Sequence, residues 1–529
     1  MPNHSRGLRE RLDSETRVET GGHLLADAVR VPGLTILHHP DPGRVGERVA
    51  LTRLVAGRAE RLGRGEPEFA QPGRGGERPL ADSHLSRRPI EIRPGEVGGV
   101  ILDRAGSPLL VKVNGEPLAE SRELSAAEVE RGAVLLLGHC VVLCLGPVDP
   151  VAGASAGREA DQGLVGESAP MVALRAEIRR AASTDLPVLL RGETGTGKEL
   201  VARAIHAAGR RARGAFVGVN MAALPPTLAA AELFGVARGA FTGADRARGG
   251  LMRRADGGTL LLDELGEMPA EVQALLLRAL ETGEVLAVGG DAPFRVDVRW
   301  IAATDADLEA AIAAGRFKAP LLHRLAGYEI HLPPLRARRD DFGRLLRSFV
   351  RGEAATGGGE PPALAARWVA DLAAYDWPGN VRELKNAVRR IVLAGLDGGE
   401  AAMAQQVAQV LAAPRSAPPE REGAGRNPTE RPAPPERRRP EDLGEREIEE
   451  ALRAHRWRVS DAADALNVAR TSLYERIAKS PSLRRASELD VEELREARAR
   501  AGGDLDAMAA ALEVSKRGLV RRLRQLGLA

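Results

Sequence analysis

The chain has little cysteine, few aromatic residues and no long apolar run. Only two of its 529 residues are cysteines, and aromatic residues make up 3%. A secreted fold held by several disulfides is therefore excluded, and the core should be mainly aliphatic. The longest apolar run, 133–145, is shorter than the roughly 20 residues that span a bilayer. Because the charged N-terminus also lacks a signal-peptide pattern, we expect a cytoplasmic protein with no membrane partner.

The cysteines and the ten histidines show no spacing typical of a transition-metal site. Cys140 and Cys144 lie in one apolar run that reads as a single strand. In a strand they would be about 13 Å apart, which is too far for a disulfide. We therefore expect two reduced, buried thiols.

The length predicts about three folded domains, and changes in composition mark their boundaries. Short apolar runs between Gly and Pro predict an N-terminal all-β sandwich, and alternating strands and helices predict a central α/β domain with a helical lid. The tail reads as all-α, and the Pro- and Arg-rich segment before it should be disordered. The predicted segments are a flexible N-terminus (1–30), the β-module (31–147), a linker (148–163), the α/β subdomain (164–335), the lid (336–413), a second linker (414–442) and two helical segments (443–480 and 481–529).

The two helical segments of the tail resemble each other at an offset of 46 residues. Apolar positions recur at that offset, for example Val468 with Val514 and Leu473 with Leu519. A repeat of this kind predicts two similar helical modules in tandem.

The stretch "LLRGETGTGKELVARAI" has the spacing of a phosphate-binding loop between a strand and a helix. Backbone N–H groups and the helix N-terminus would approach phosphate there, and Lys198 would reach the terminal phosphates. Glu199 stands where the pattern normally has a magnesium-binding hydroxyl. The predicted ATP-binding residues of the loop are Gly192, Glu193, Thr194, Gly195, Thr196, Gly197, Lys198 and Glu199.

A second acidic element follows some sixty residues later, where "GGTLLLDELGE" ends an apolar strand in Asp263 and Glu264. In ATPases one such carboxylate holds Mg²⁺, and its neighbour orients and polarises the attacking water. We assign the Mg²⁺-binding role to Asp263, with Glu199 as a second candidate. The role of orienting and polarising water is assigned to Glu264. The two elements together predict an ATPase that uses ATP and Mg²⁺.

Five segments occur in one order: "GETGTGKELVARAIH", "ELFGVARGAFTGA", "GGTLLLDELGEMP", "LPPLRARRDD" and "WPGNVRELKN". Together they resemble the AAA+ domain of bacterial activators of sigma-54 RNA polymerase. That family's loop is similar to G-E-S-G-T-G-K-E, so Glu199 is its usual residue at this position. The resemblance implies a homo-hexameric ring whose client is the sigma-54 holoenzyme.

The six-residue segment "GAFTGA" carries the most specific part of the resemblance. In that family this loop touches sigma-54 and moves with the nucleotide state. The residues that would do so here are Gly239, Ala240, Phe241, Thr242, Gly243 and Ala244.

The resemblance also assigns single roles. Asn220 would pair with Glu264, Arg324 would act as an arginine finger across the subunit boundary, and Arg382 would be the lid's nucleotide sensor. Two positions depart from the family: Asp305 replaces an asparagine sensor, and Lys318 stands at a first finger position. A carboxylate near the γ-phosphate repels its charge unless it is protonated or paired, and lysine lacks the bidentate fork of arginine. We therefore predict slow but measurable hydrolysis.

The segment "VSDAADALNVARTSLYERIAKSP" reads as a helix-turn-helix whose second helix enters the major groove, and it resembles the Fis-type domain of these activators. Its predicted DNA contacts are Arg470, Thr471, Ser472, Tyr474 and Arg476. The second copy carries a basic stripe that would read bases, contact phosphate or help dimerisation. Its residues are Lys516, Arg517, Arg521, Arg522 and Arg524.

The N-terminal module resembles a forkhead-associated domain, in "LGRGEPEF", "LSRRP" and "VNG". Its predicted phosphopeptide residues are Arg64, Ser86, Arg87 and Asn114, a set suited to phosphate. Pro89 replaces the family histidine, and "RAGS" lacks the usual asparagine. Two readings stay open: recognition of a phosphothreonine protein or a Ser/Thr kinase, and binding of a protein, or of the neighbouring ATPase, without phosphate.

The resulting hypothesis is an activator that hydrolyses ATP to open promoter DNA while its tail holds double-stranded DNA upstream. One alternative is a DNA-binding scaffold or repressor with a weakened ATPase. Another is an AAA+ remodeller of a different client.

Overall fold

The computed structural model describes residues 30–72, 76–148, 163–240, 247–412 and 444–526, the last range with gaps at 456, 458, 467, 469–472, 474–476, 478–488, 502–504 and 515. The chain divides into two compact units, Met1–Pro419 and Glu420–Ala529. The predicted N-terminal segment up to residue 29, most of the first linker and the second linker lie outside the described residues.

The first unit begins with the predicted all-β module. Its strands are β1 (Val31–His38), β2 (Arg48–Ala50), β3 (Glu60–Leu62), β4 (Ile90–Pro94), β5 (Val100–Asp103), β6 (Val111–Val113), β7 (Glu116–Pro117), β8 (Ser121–Leu124), β9 (Ala133–Leu137) and β10 (Val141–Val148), with short helices α1 (Thr52–Val55) and α2 (Ala126–Arg131). One sheet has the order β2-β1-β10-β9-β6-β7 and the other β3-β4-β5-β8. Apolar side chains of both sheets share one core, including Leu34, Ile92, Leu102 and Leu143.

The run that contains both cysteines is a hairpin and not a single strand. β9 and β10 pair antiparallel with Leu137 opposite Val141, and residues 138–140 form the turn. Gly138 has φ +56°, a left-handed conformation that glycine adopts without steric cost. Cys144 is buried in β10, but Cys140 lies in the turn and is only half-buried. The prediction that both thiols are buried is therefore wrong for Cys140.

The central region has the predicted parallel sheet covered by helices. Its elements are α3 (Ala169–Ala182), β11 (Val188–Arg191), α4 (Lys198–Ala208), β12 (Phe216–Asn220), α5 (Pro226–Phe234), β13 (Gly235–Val236), β14 (Arg248–Gly249), α6 (Leu251–Arg254), β15 (Thr259–Asp263), α7 (Ala270–Thr282), β16 (Glu284–Val285), β17 (Phe294–Arg295), β18 (Arg299–Thr304), α8 (Leu308–Ala313), α9 (Ala319–Leu325) and β19 (Tyr328–His331). The main sheet has the order β12-β15-β18-β11-β19, and all its pairs are parallel. The carboxyl ends of its strands therefore meet at one edge, where ligands bind in open α/β sheets.

The lid consists of α10 (Phe342–Gly357), α11 (Ala366–Ala374) and α12 (Asn380–Leu411), which breaks at Gly399. Trp377 is almost fully buried, packs against the rings of Phe342 and Tyr375, and donates its indole N–H to the Leu372 carbonyl at 2.9 Å. These contacts fix the turn between α11 and α12, where the lid reaches the phosphate-binding loop.

The β-module packs on the lid. Leu37, Val134, Leu136 and Val142 of its larger sheet share a core with the lid helices. Gly343 of α10 lies so close to β1 that a Cβ there would be 2.3 Å from the Leu37 carbonyl oxygen. Binding of the neighbouring ATPase was one of the readings left open from the sequence, but no residue of this interface was predicted.

The second unit contains α13 (Glu445–Ala454), α14 (Val459–Ala465), α15 (Val491–Arg500), α16 (Leu505–Ala511) and α17 (Lys516–Gln525). α13 and α15, and likewise α14 and α16, begin and end 46 residues apart. Each set encloses its own small core, with Val468 and Leu473 in one and Val514 and Leu519 in the other. None of the helices in the described ranges combines the length and apolar character that crossing a membrane requires.

Candidate nucleotide site

The phosphate-binding loop lies between β11 and α4 at the carboxyl edge of the sheet. Gly195 and Gly197 have φ of +82° and +106°, which L side chains rarely adopt, so the loop backbone needs glycine there. Lys198 is buried, and its Nζ donates to the Gly192 carbonyl at 2.8 Å. A phosphate would compete with that carbonyl for the ammonium group.

Glu193 joins this loop to the lid. Arg336 donates both guanidinium Nη groups to its carboxylate, one of them at 2.7 Å. Asn380, fully buried at the start of α12, donates its Nδ2 to Glu193 Oε2 and to the Thr194 carbonyl, both at 3.1 Å. The Asn380 Oδ1 accepts from the Leu335 N–H at 2.8 Å. No role was predicted for Arg336 or Asn380, although Arg336 lies in "LPPLRARRDD" and Asn380 in "WPGNVRELKN".

The lid also touches the loop backbone directly. The Arg382 N–H donates to the Gly195 carbonyl at 3.3 Å, and a Cβ on Gly195 would be 2.2 Å from the Gly379 oxygen. Arg382 therefore stands beside the loop, and its role as a nucleotide sensor stays a prediction.

The acidic pair lies at the same sheet edge. β15 ends at Asp263, whose Oδ1 accepts from the Glu264 N–H at 3.1 Å. Glu264 has φ +54°, a conformation that costs a non-glycine residue about 1–3 kcal/mol and is often found at functional sites. Asn220 lies opposite Asp263 in β12, and its Oδ1 accepts from the Ala222 N–H at 2.9 Å. In this conformation its side-chain oxygen caps the following turn.

Burial and neighbouring charges shift the pKa values of the three carboxyl groups at this edge. Burial raises the pKa of Asp263, and burial together with the Asp305 carboxylate raises the pKa of Glu264. For Asp305, burial acts upward, but hydrogen bonds from Thr194 and Glu264 and the charge of Lys198 bring its pKa below the ordinary value. Glu264 and Asp305 are hydrogen-bonded to each other, and this contact raises the pKa of Glu264 while it lowers the pKa of Asp305. The departure from the family thus acts directly on the residue assigned to the attacking water.

The residues assigned to Mg²⁺ supply suitable oxygen ligands. Asp263 is a half-buried carboxylate close enough to Lys198 and Glu199 for their charges to alter its pKa. Glu199 is exposed and pairs with Arg203 at 2.7 Å. An exposed pair of this kind is worth only about 0.3–0.5 kcal/mol, so Glu199 can leave it at little cost. Carboxylate oxygens are the ligands that Mg²⁺ prefers, and these residues therefore fit the ion.

The two finger candidates lie on α9 and at its start. The Arg324 side chain is 59% exposed, with its Nε 3.5 Å from Glu281 Oε1. Lys318 is also exposed, and its backbone N–H donates to Gln273 Oε1 at 2.9 Å. Among the contacts of the described residues, neither side chain joins the hydrogen-bond network around Glu193, Asp263 and Glu264.

Only the first part of the "GAFTGA" segment is described, since Phe241, Thr242, Gly243 and Ala244 lie outside the described residues. Its base is held by the β13–β14 pair and by the Ala237 N–H, which donates to the Val288 carbonyl at 3.0 Å. Gly239 has φ +82°, and Ala240 packs closely against Gly289. The base of this loop therefore rests on the segment that connects β16 to β17.

The predicted DNA contacts are only partly described. Arg470, Thr471, Ser472, Tyr474 and Arg476 lie outside the described residues, and the side chains of Lys516, Arg517 and Arg521 on α17 are likewise not described. The neighbouring Arg522 donates its Nη2 to the Leu489 carbonyl at 3.0 Å and its Nε at 3.2 Å. Arg522 thus holds the second helical set together.

The predicted phosphopeptide residues of the β-module separate into two places. The Arg64 N–H donates to the Ser86 carbonyl at 3.3 Å, the Ser86 Oγ accepts from the Arg88 N–H at 3.0 Å, and Arg87 is exposed. Asn114 occupies a turn with φ +50°, where its Oδ1 accepts from the Val134 N–H at 2.8 Å. Its side-chain oxygen is therefore already used by the module itself.

Three family models match the chain in order. Residues 164–331 match the Sigma-54 interaction domain, 336–422 the AAA+ ATPase lid domain, and 440–479 the bacterial regulatory protein, Fis family. These three matches begin at residue 164, and the forkhead-associated identity of the β-module stays a prediction.

Similar proteins share the central region. Regulatory protein LuxO of Vibrio cholerae is 48% identical over 230 residues, which is 44% of this chain and 43% of that protein. The DNA-binding transcriptional regulator NtrC of Escherichia coli K12 is 48% identical over 226 residues, 43% of this chain and 48% of that protein. The chain thus spans a little under half the length of these curated relatives. A crystal structure of NtrX from Brucella abortus in complex with ATP is 32% identical, covers 69% of each chain and has a TM-score of 0.44.

The three family matches agree with the geometry at the sheet edge, where a glycine-rich loop, a buried lysine and two adjacent acids meet a lid that is bonded to the loop. The chain therefore contains an AAA+ ATPase of the sigma-54 interaction type, followed by a helix-turn-helix region of the Fis family.

Proposed function

We propose that this protein is a sigma-54-dependent transcriptional activator, in which ATP hydrolysis drives the Gly239–Ala244 loop against the sigma-54 holoenzyme and opens promoter DNA. The observation that carries the proposal is the direct bonding of the phosphate-binding loop to the lid through Glu193, Arg336 and Asn380. A change in the loop on hydrolysis would reach the lid through these bonds. Hydrolysis of ATP would thereby be coupled to movement of the lid.

The residues of the chain divide the hydrolytic work. Lys198 and the loop N–H groups hold the terminal phosphates, and Glu264 in its ionised form orients and polarises the attacking water. Asp263 and Glu199 would hold Mg²⁺, which supplies neutralisation of charge on the phosphate oxygens when bound. Burial of Asp263 strengthens each of these electrostatic contacts.

A short stretch of chain links the acids to the client loop. The loop that ends at Ala244 continues through β14 and α6 into β15, which ends at Asp263. A displacement of this sheet edge would therefore move the base of the loop. We propose that Phe241 and Thr242 form its contact with sigma-54.

The exposed positions of Arg324 and Lys318 support a role across a subunit boundary. Side chains that do not join the site of their own chain are free to enter that of a neighbour. We propose a homo-hexameric ring in which Arg324 stabilises the transferred phosphoryl group of the adjacent subunit, with Lys318 as a weaker second donor because it lacks a planar fork.

The two ends of the chain would supply sensing and location. The helix-turn-helix would bind double-stranded DNA upstream of the promoter through Arg470, Thr471, Ser472, Tyr474 and Arg476. This binding would raise the effective concentration of the ring near the promoter. Arg64, Ser86 and Arg87 of the β-module would recognise a phosphothreonine protein or a Ser/Thr kinase. Because the module packs on the lid, its occupancy would bias the position of the lid.

A specific observation favours a second candidate function. Asp305 bonds both Thr194 and Glu264, so the assigned water-activating group holds a proton more tightly than a glutamate beside an asparagine would. A DNA-binding scaffold or repressor with a weakened ATPase would have this property.

The decisive experiment measures promoter opening with purified sigma-54 polymerase on a supercoiled template, using permanganate reactivity of unpaired thymines. We expect ATP-dependent opening by the wild type, and loss of opening with retained ATP hydrolysis for Phe241→Ala and Thr242→Ala. Lys198→Ala, which should lose both activities, is the control. ATP hydrolysis and DNA binding without promoter opening would favour a different client, and DNA binding without hydrolysis would favour the scaffold or repressor.

A further inference from the structure

Three side chains of types that can bind metal ions lie close together on the β-module, outside the nucleotide site. Asp82 and His84 lie in the segment between β3 and β4, and Cys140 lies in the β9–β10 turn, 58 residues after Asp82. Cys140 Sγ lies 3.5 Å from Asp82 Oδ1, and His84 Nδ1 lies 3.1 Å from the same oxygen. One ligand atom from each residue lies within 4.8 Å of the other two. The long separation along the chain explains why spacing in the sequence gave no sign of this group.

The fold holds the two turns together without help from an ion. The Asp82 side chain is only 9% exposed, and its Oδ1 accepts from the His84 N–H at 2.8 Å. Leu85 is buried, and a Cβ on Gly138 would lie in ordinary contact with it and with the His84 carbonyl. The ligands therefore converge because the segments that carry them are packed.

The separations suit tetrahedral coordination by a zinc-like ion. Zinc bonds of about 2.3 Å to sulfur and about 2.0–2.2 Å to nitrogen and oxygen place S and O about 3.6 Å apart, and N and O about 3.3 Å apart, in a tetrahedron. The observed values are 3.5 Å and 3.1 Å. The third separation, between the His84 nitrogen and the Cys140 sulfur, is within 4.8 Å. The His84 side chain is 77% exposed and has room to rotate and adjust this distance.

We propose that Asp82, His84 and Cys140 form a binding site for a thiophilic divalent cation of the Zn²⁺ type. Thiolate and imidazole ligands select such ions over Mg²⁺ and Ca²⁺, and a single thiolate with imidazole and carboxylate leaves a fourth position for water. The exposed His139 stands next to Cys140 at this open side.

The site has a defined place on the module. His84, His139 and Cys140 line a groove of about 670 Å³ whose wall also includes Ser86 and Leu110. A bound cation would tie the Asp82–His84 segment to the hairpin turn and so fix this wall. The inference rests on no property of the ATPase, and its failure would leave the proposed function untouched.

The test uses the full chain without a polyhistidine tag, after removal of metal with a chelator. Co²⁺ serves as the probe, because a thiolate ligand gives a near-ultraviolet charge-transfer band and four-coordinate Co²⁺ absorbs strongly in the visible range. We expect one Co²⁺ per chain with both features, and displacement of Co²⁺ by Zn²⁺. Cys140→Ser should abolish the charge-transfer band, and His84→Ala should weaken binding by about tenfold or more.

Two matched controls separate this site from incidental binding. Cys144→Ala removes the other cysteine and should keep the charge-transfer band. His331→Ala removes an exposed histidine that lies 3.0 Å from Glu329, a similar pair without a thiol, and should leave the stoichiometry unchanged.

A second measurement covers any variant that folds poorly. Zn²⁺ that binds only the folded chain must raise its unfolding temperature. We expect this rise in the wild type and in His331→Ala but not in His84→Ala, whose exposed side chain is dispensable for packing. A wild type without a charge-transfer band, or His84→Ala with an undiminished response to Zn²⁺, would overturn the proposal.

Discussion

At the scale of single residues, the hydrogen bond between Asp305 and Glu264 bears on the proposed chemistry. In its proposed role Glu264 would act as a base only when ionised, and its pKa is raised by burial and by the carboxylate of Asp305. For Asp305, burial acts upward, but the hydrogen bond from Thr194 and the charge of Lys198 bring its pKa below the ordinary value. A lowered pKa favours the ionised form of Asp305, and that charge disfavours ionisation of Glu264.

This pair predicts a change in pH dependence. In Asp305→Asn the neighbouring negative charge is lost, so the pKa of Glu264 falls and the ionised base persists to lower pH. We expect the acid limb of the kcat–pH profile for ATP hydrolysis to move to lower pH, with higher activity on that limb. Glu264→Gln should show almost no activity at any pH. An unmoved acid limb in Asp305→Asn would show that the two carboxyls are not coupled.

Asn380 offers a second prediction at this scale. Asn380→Ala removes a buried side chain that satisfies Glu193, the Thr194 carbonyl and the Leu335 N–H. Leaving such groups unpaired costs about 1–3 kcal/mol, and alanine also fits poorly at φ +52°. We expect a lower urea midpoint of the full chain and weaker ADP binding. Asn220→Ala, which removes one exposed cap, is the comparison, and an equal effect of both substitutions would refute the assignment.

At the scale of secondary-structure elements, the main finding is the contact between the β-module and α10 of the lid. Gly343 and Gly352 both lie in α10, but only Gly343 meets another element, at the Leu37 carbonyl. Nothing lies within 4 Å of a Cβ at Gly352. The two glycines therefore distinguish helix propensity from the interface.

The expected effects have opposite signs. Gly352→Ala should raise the free energy of unfolding by about 0.5–1 kcal/mol, because alanine is the better helix former. Gly343→Ala gains the same propensity but places a Cβ against β1, so it should lower stability and loosen the module from the lid. Thermal unfolding and limited proteolysis between residues 148 and 163 would measure both effects. Stabilisation by both substitutions would mean that the module does not pack on α10 in solution.

The sequence predicted elements well because local patterns determine them. The glycines of the phosphate-binding loop, the acids after β15 and the 46-residue repeat are all visible within short windows. Contacts between distant segments were not visible. The continuous apolar run of β9 shows burial on both faces but not that one face meets the lid. The Glu193–Arg336–Asn380 network and the Asp82–His84–Cys140 group were missed for the same reason, since each joins residues that only the tertiary fold brings together.

At the scale of the whole molecule, the duplicated tail raises the question of what the second helical set does. Arg521 and Arg522 are adjacent in sequence, but Arg522 is already used to hold the Leu489 carbonyl. Only one of the two arginines is therefore expected to serve DNA. Treating the basic stripe as a uniform surface would confuse a structural residue with a binding residue.

The two arginines should separate in a paired measurement of DNA affinity and stability. Each phosphate contact contributes about 0.9 to the slope of log K against log salt, so Arg521→Ala should reduce that slope by about one while leaving unfolding unchanged. Arg522→Ala should instead lower the thermal stability of the second unit, because the Leu489 carbonyl oxygen would lose its hydrogen-bond donor. Fluorescence anisotropy on a short duplex across a range of salt, with calorimetry of the same variants, would measure both quantities. An unchanged slope in Arg521→Ala would assign the second helical set to packing or dimerisation, and the first set would then carry all the DNA contacts.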